Sequence, residues 1–139
     1  MITEAPEAFL YQQLIRHTGV AVEVGFRIYP MMSPQGAALP LIVYQRTGAE
    51  RPQSLAGNVG NPVVTLQVTT HGTSYTATKH IARMVRLAVD GYTGTVSNVT
   101  IQRTTLTGEA DGMELPADDQ MLPYYNVQQT FEFRISEAT

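Results

Sequence analysis

The sequence of 139 residues contains no cysteine and no tryptophan. Without cysteine, neither disulfide bonds nor thiolate metal sites can form, and the redox compartment cannot be inferred from the composition. The fold must therefore be held together by packing and hydrogen bonds.

Positive charge is also scarce, since Lys79 is the single lysine and the formal net charge is -3, with a pI near 5.5. Binding to nucleic acid through phosphates requires clustered Lys and Arg side chains that displace counterions. The composition therefore argues against electrostatically driven binding of nucleic acid.

Long apolar runs are missing as well, because no stretch approaches the roughly 18 residues needed to span a membrane. No basic leader precedes an apolar run near the first residue. We therefore expect a cytoplasmic product that neither crosses nor enters a membrane. The length suits one domain over residues 1–139.

The stretch from Arg27 to Gly60 organises the rest of the chain through its prolines and glycines. Ser33-Pro34-Gln35-Gly36 has the residue types that a type I turn prefers. Leu41 to Arg46 follows with apolar residues on both faces until its last two positions. This pattern predicts a strand that is covered on both sides.

Two helices are predicted from apolar side chains at helical spacing. The first runs from about Thr3 to His17 and is ended by Gly19. The second runs from about Ser74 to Asp90. Its predicted inner face comprises Ala77, Ile81, Met84, Val85 and Ala88, and its outer face Lys79, Arg83, Arg86 and Asp90.

Alternating or β-rich runs predict the remaining strands, and Thr107 to Tyr125, with its glycines, prolines and acidic residues, is predicted to be irregular. The further strands are Ala21–Ile28, Val63–Thr70, Val96–Leu106 and Val127–Ile135. The element order is then α-β-β-β-α-β-β. This order predicts an α+β fold with a single mixed or antiparallel sheet and two helices on one face.

Catalytic and metal-binding patterns are weak in this sequence. No nucleophile-elbow pattern is present, and the three histidines are widely separated. His80 has no His or acidic residue four positions away, and the acidic run from Glu109 to Asp119 lacks the spacing of a calcium loop. The glycines from Gly57 to Gly60 precede a strand without a lysine, so they do not form a phosphate loop. We predict no catalytic residue, no cofactor and no metal site.

Lys79, Arg83 and Arg86 form a basic stripe on the second predicted helix. We interpret the stripe as an exposed helix surface, with a subunit contact as the next possibility and a nucleic-acid contact as the third. Asp90 on the same face and the acidic remainder of the chain weaken the last interpretation.

A family resemblance rests on the order of several short segments. These are an RIYP segment, a loop closing on ALP, a PLIVYQR strand, a Ser-Leu-Ala-Gly segment, one long helix and a last strand ending in Phe-Arg-Ile. In this order they resemble the tail completion proteins of tailed bacteriophages, also called tail terminator or tail-to-head joining proteins. The resemblance extends from about Phe9 to Ile135.

The resemblance implies a structural virion protein and supplies no catalytic residues. It implies a homo-hexameric ring that caps the tail tube, ends polymerisation of the tube protein and joins the tail to the head connector, with genomic DNA only passing through the channel. The protein would be assembled in the host cytoplasm and lie at the head-proximal end of the tail. The candidate interface residues lie in the 47–61 and 109–123 segments and are Arg51, Asn58, Asp111, Glu114, Asp118 and Asp119.

Two alternatives stay open at this point. Another head-to-tail neck or adaptor component of similar fold would share these sequence features. A small α+β ligand-binding module or enzyme would instead show a concave apolar pocket with convergent polar groups, which a ring-forming protein is not expected to have.

Overall fold

The computed structural model describes residues 5–34, 36–50, 53–54, 57–58, 62–96, 99–114 and 124–137. The helices are α1 (Ala5–Arg16), α2 (Thr18–Val24) and α3 (Tyr75–Val89). The strands are β1 (Ile28–Pro30), β2 (Leu41–Glu50), β3 (Gln53–Ser54), β4 (Gly57–Asn58), β5 (Val63–Gly72), β6 (Gly94–Val96), β7 (Val99–Glu114) and β8 (Tyr124–Glu137).

Six of these strands form one mixed sheet in the order β1-β2-β5-β8-β7-β6. Strand β1 runs parallel to β2, and all other neighbours are antiparallel. Strands β3 and β4 form a separate two-stranded pair. The predicted α+β class with one mixed sheet is confirmed, whereas the prediction of two helices is wrong because the described residues contain three.

One face of the sheet carries the hydrophobic core. Alternate side chains of the central strands, Leu66 and Val68 in β5 and Phe131 and Phe133 in β8, are fully buried beneath the helices. Phe9 of α1 meets Phe133 edge to face, with the ring centroids 6.3 Å apart. The sheet and its covering helices thus share one apolar interior.

The other face of the sheet is polar and largely open. Thr65, Gln67 and Thr69 of β5 point to it and are half-buried, and Gln128 of β8 is exposed. In β2, Leu41 and Ile42 are buried but Val43 is only half-buried. The prediction that this strand is covered on both sides therefore holds only for its first residues.

The turn before β2 lies one residue later than predicted. The amide of Ala37 donates to the carbonyl oxygen of Pro34 at 3.1 Å, so the turn begins at Pro34 rather than Ser33. Gly36 has a φ of +80°, a conformation that glycine adopts without strain.

The first predicted helix is confirmed as α1, with its predicted start at Thr3 outside the described residues, whereas the stop at Gly19 and most of the strand after it are wrong. The helix breaks at His17, which has extended φ and ψ, and α2 then continues through the predicted stop at Gly19. Gly19 permits close approach, because a Cβ there would lie 2.6 Å from the Met84 sulfur of α3. Val20 and Val24 are buried one helical turn apart, so burial against α3 overrides the strand-like alternation of Ala21–Ile28.

The second predicted helix is confirmed as α3. Ser74 caps its first turn, since its hydroxyl accepts from the amide of Ala77 and its carbonyl accepts from Thr78 Oγ1. Ala77 itself is exposed and Thr78 is buried, which corrects the predicted inner face by one position at this end. Ile81 and Val85 are buried as predicted.

The prediction of an irregular segment from Thr107 to Tyr125 is wrong at both of its ends, and its middle, residues 115–123, lies outside the described residues. Strand β7 continues to Glu114 and β8 begins at Tyr124, with Glu109 paired to Gln129 and Glu114 paired to Tyr124. The polar side chains of this segment gave no reason to expect a strand. Its backbone N–H and C=O groups are nevertheless satisfied by pairing with β8. The predicted strand Val96–Leu106 is divided between β6 and β7.

Replacement of Gly72 by alanine tests the packing of β5 against the start of α3. A Cβ at Gly72 would overlap Thr78 Oγ1, whose hydroxyl is held by the Ser74 carbonyl. We expect Gly72→Ala to lower the free energy of unfolding by about 1–3 kcal/mol through overpacking. Gly48→Ala in β2 is the matched control, because a Cβ there meets nothing within 4 Å. Urea titrations measure the free energy of unfolding of both variants. Equal values for Gly72→Ala and Gly48→Ala would contradict the contact between Gly72 and Thr78.

Tyr44 of β2 carries a buried hydroxyl whose effect on stability can be tested by its removal. The side chain is 2% exposed, its hydroxyl has no hydrogen-bond partner in the described structure, and burial, with smaller contributions from Tyr11 and Glu7, raises the pKa of Tyr44 to about 12. We expect Tyr44→Phe to leave the stability at pH 7 unchanged or to raise it by up to about 1 kcal/mol.

The same change has a predicted pH dependence. A raised pKa means that the folded state holds the phenol proton more tightly, so wild-type stability is lost as the pH rises from about 10 to about 12. Unfolding curves across that window should show a steeper loss for the wild type than for Tyr44→Phe. If stability fell equally with pH in the wild type and in Tyr44→Phe, the raised pKa of Tyr44 would be contradicted.

Candidate partner-contact surfaces

The structure describes the side chains of only two predicted interface residues. Arg51, Asp118 and Asp119 lie outside the described residues. Asn58 lies in β4, where it pairs with Gln53 of β3, and its side chain is not described. The geometry of the predicted interface therefore rests on Asp111 and Glu114.

Asp111 and Glu114 lie on opposite faces of the sheet. Asp111 pairs with Val127 and Glu114 with Tyr124, and successive residues of a strand point to opposite sides. Asp111 thus shares the helix-covered face with buried Val127, whereas Glu114 belongs to the open face. The sequence placed both in one acidic loop, and the structure separates them.

Asp111 makes a polar cluster with the first turns of α3. Its carboxylate accepts from Tyr75 Oη at 2.7 Å and from Lys79 Nζ at 3.0 Å. The hydrogen bond from Tyr75, followed by that from Lys79, lowers the pKa of Asp111, and the same bonds raise the pKa of Tyr75 and of Lys79. Because the cluster is exposed, solvent and salt weaken its contribution to stability.

The basic stripe of α3 is consequently not uniform. Lys79 is committed to Asp111 of its own chain and lies 6.0 Å from the centroid of the Tyr75 ring. Arg83 is exposed and Arg86 is half-buried. The interpretation as an ordinary helix surface holds for Arg83, and an intramolecular ion pair accounts for Lys79.

Gln129 is a buried polar residue that the sequence analysis missed. It is fully buried in β8, and its Nε2 donates to the carbonyl of Ala82 in α3 at 2.9 Å and to Glu109 Oε1 in β7 at 3.0 Å. One amide thus joins a helix to the adjacent strand. Its position in the alternation with Phe131 and Phe133 was the available signal that it faces the core.

On the open face, Glu114 lies near His71 of β5. Both residues line two adjoining recesses of about 390 Å³ and about 190 Å³. The larger recess also contains Leu39, Leu41 and Tyr124. Burial lowers the pKa of His71, and the nearby Glu114 carboxylate partly opposes this effect. The larger recess is open and lined by both apolar and polar side chains, so it is not by itself the concave apolar pocket with convergent polar groups of a ligand-binding module.

The three histidines lie on separate parts of the fold. His17 lies between α1 and α2, His71 in β5 and His80 on the exposed side of α3. Within the described part of the chain, no three His, Asp or Glu side chains are grouped to hold a metal ion. Its helices are also too short or too polar to cross a membrane.

Exposed apolar side chains gather near the β1 edge of the sheet. Four of them occur within eleven residues and are between 68% and 77% exposed, namely Val22, Phe26, Met31 and Met32. Leu87 and Tyr92, at the end of α3, are 44% and 48% exposed. Contiguous exposed apolar patches are typical of surfaces that contact another protein, a membrane or a ligand. The sequence analysis did not single out these residues.

A comparison with protein families gives a match between residues 8–136 and the family described as tail completion protein gp17. The chain belongs to this family. The match includes α3, β5, β7 and nearly all of β8, so it covers the parts of the fold that position Asp111 and Glu114. The resemblance stated from the sequence is confirmed.

A solved structure supports the fold assignment. The chain is similar to a chain of the virion of a native gene transfer agent particle, with a TM-score of 0.71, 17% identity and coverage of 94% of each chain. At this identity the similarity concerns the fold alone. A comparison with curated protein sequences found no match.

Membership in the tail completion family assigns the protein a structural role in a phage tail. This role agrees with the described surface, which carries exposed apolar and charged side chains.

Replacing Asp111 by asparagine tests the cluster with Tyr75 and Lys79. Without the carboxylate, the pKa of Tyr75 should fall towards its ordinary value near 10, because the charged acceptor that stabilises the phenol is gone. NMR titration of ring-labelled tyrosines, with Tyr75→Phe to assign the signal, measures this change. Glu114→Gln is the control and should leave the Tyr75 titration unchanged. An unaltered Tyr75 titration in Asp111→Asn would disprove the cluster in solution.

Proposed function

We propose that this protein forms a closed ring, most simply of six copies, on the last ring of the phage tail tube. The ring ends polymerisation of the tube protein and presents its other surface to the head connector. Its location is the head-proximal end of the tail, reached after assembly in the host cytoplasm. Its work is done by fitted surfaces rather than by bond chemistry.

The observation that carries this proposal is that the sheet ends in two different, partly uncovered edges. Strand β1 pairs with β2 only at Ile42–Tyr44, and β6 pairs with β7 only at Val99–Ile101. Among the described strands, none pairs with the outer edge of β2 beyond Tyr44 or of β7 beyond Thr107. Two different contact surfaces on one chain are what a head-to-tail ring requires.

The exposed apolar residues support association at the β1 side. Phe26, Met31 and Met32 together present a large apolar surface at this edge. Burial of apolar area contributes about 25 cal/mol per Å² to association before the entropic losses of binding are subtracted. A neighbouring copy, or the tail tube protein, would remove this surface from water.

The acidic composition suits passage of DNA through the channel of such a ring. A net charge of -3 provides little attraction for phosphates, so the genome would pass without binding tightly. In this proposal DNA contacts the ring only in transit. The lasting partners are further copies of the chain, the tube protein and the connector.

Another neck or adaptor component is the alternative within the structural class. The partner that the protein binds distinguishes a neck component from a tail terminator.

The recess beside His71 is the observation that would favour a ligand-binding module. No hydrogen bond joins His71 to Glu114 in the described structure, however, and the recess is open to solvent. Its polar groups do not converge as they do in a ligand site.

The proposal can be tested with tails assembled in the absence of this protein. Adding the purified wild-type chain should stop growth of the tails at one length and place a ring at one end of each, as seen by electron microscopy. The capped tails should then attach to heads. Continued growth of the tube, or binding to heads without binding to tails, would refute the terminator role and favour the neck component.

The predicted acidic contact requires a design that leaves the Asp111 cluster intact. We expect Glu114→Gln with Asp118→Asn and Asp119→Asn to reduce attachment to tube or connector by about tenfold, since charged contacts govern the rate of association. Glu7→Gln with Glu23→Gln removes carboxylates on α1 and α2 and serves as control. Circular dichroism should show an unchanged fold in both variants. Attachment equal to the wild type would remove the acidic segment from the interface.

A further inference from the structure

Four residues form one row across the open face of the sheet. Glu50 in β2 is paired with Val63 in β5, Val63 with Arg134 in β8, and Arg134 with Arg103 in β7. Residues directly opposite one another in neighbouring strands point to the same face. The row therefore has a carboxylate at one end and two guanidinium groups at the other.

The two arginines lack a carboxylate partner within the described residues. Like charges directly opposite each other on neighbouring strands are destabilising. The ion pairs within 4 Å in the described part of the chain are Arg46–Glu7 and Lys79–Asp111, so neither Arg103 nor Arg134 belongs to such a pair there. Both arginines are exposed. An anionic group from outside the chain would offset their repulsion.

A recess beside the arginines limits the size of that group. Arg103, Arg134, Thr105, Glu132 and Val63 line a cavity of about 200 Å³. This volume suits one side chain better than the backbone of a nucleic-acid duplex. The presence of Glu132 and the net charge of -3 further disfavour a phosphate backbone. The geometry favours a carboxylate from another protein chain.

The ends of the row lie towards opposite edges of the sheet. Glu50 is in the strand next to β1, beyond the part of β2 that β1 covers, and it is exposed. Arg103 is in the strand next to β6, just beyond the part of β7 that β6 covers. When one copy is placed beside the next, the acidic end of one row faces the basic end of the other.

We propose that Glu50 of one copy pairs with Arg103 and Arg134 of the next copy in the ring. This inference rests on the proposed function and names the contact that joins neighbouring copies. Arginine forks bind carboxylates through two hydrogen bonds, so the contact fixes orientation as well as proximity. Because both ends belong to one row, the contact involves little shift along the strands, which favours closure into a ring over an open helical filament.

The test uses charge reversal in the tail-capping assay. One variant carries Arg103→Glu and Arg134→Glu, and a second carries Glu50→Arg. Each variant alone would place like charges at every contact between copies. We therefore expect the number of capped tails to be lower than with the wild type by about tenfold or more. Arg83→Glu with Arg86→Glu, on the outer side of α3, makes the same charge change away from the sheet and should cap normally.

Mixing the two variants in equal amounts provides the decisive measurement. Every contact in an alternating ring would then again join opposite charges, so capping should be restored to at least half of the wild-type level. A folding defect in either variant cannot be repaired by mixing. Restoration of capping therefore supports a contact between different copies.

The outcomes separate this inference from the proposed function. If the wild type forms no ring on tails, both fail. If the wild type forms rings and the reversed variants cap equally well, or if mixing does not restore capping, the Glu50 contact is wrong and the ring proposal stands. Duplex DNA labelled with a fluorophore gives a further arm. Binding by the wild type that is lost in the arginine variant would assign the arginines to phosphate instead and overturn the inference.

Discussion

The register between β5 and β8 is the constraint on which the rest of the structure depends. Ten consecutive pairs, from Val63 with Arg134 to Gly72 with Tyr125, join these two central strands without interruption. A slip of one residue would turn the buried Phe131 and Phe133 to the open face and place polar residues beneath α1 and α3. The same register places Val63 beside Arg134 on the opposite face, so the centre of the charged row and the core are fixed by one set of backbone hydrogen bonds.

Outside this central pair, the sheet is less regular. Register shifts occur in β2 between Arg46 and Gly48 and in β7 at two places, where an extra residue is accommodated. Such shifts increase the local twist, and the outer strands β1 and β6 pair with β2 and β7 only before the first shift in each. At the β7 side, the end of α3 replaces a strand: Asp90 Oδ1 accepts from the amide of Leu106, and the amide of Gly91 donates to Thr104. Backbone groups near the core are thus satisfied, while those farther along the edges are left for partners.

Sequence reasoning found the elements whose apolar pattern is strong. The α3 helix, with Ile81 and Val85 on one face, and the β8 strand, with Phe131, Phe133 and Ile135, could be predicted because burial and periodicity agree. Helix α2 could not, because Val20, Val22 and Val24 alternate as in a strand, whereas the burial of Val20 and Val24 one helical turn apart depends on packing that the sequence does not show. The end of β7 could not either, because neither face of Glu109–Glu114 carries an apolar stripe.

The candidate site was harder to predict because its residues are neighbours in sequence but not in space. Glu109, Asp111 and Glu114 read as one acidic segment, yet the strand directs the first two to the helix side and the third to the open face. Glu109 and Asp111 are then bound by Gln129, Tyr75 and Lys79 of the same chain. A carboxylate already held by its own chain has little left to offer a partner. Charge counted along the sequence therefore overstates the acidic surface that another protein can contact, because only carboxylates that are exposed and in no ion pair within the described residues, such as Glu50 and Glu114 on the open face, are available to a partner.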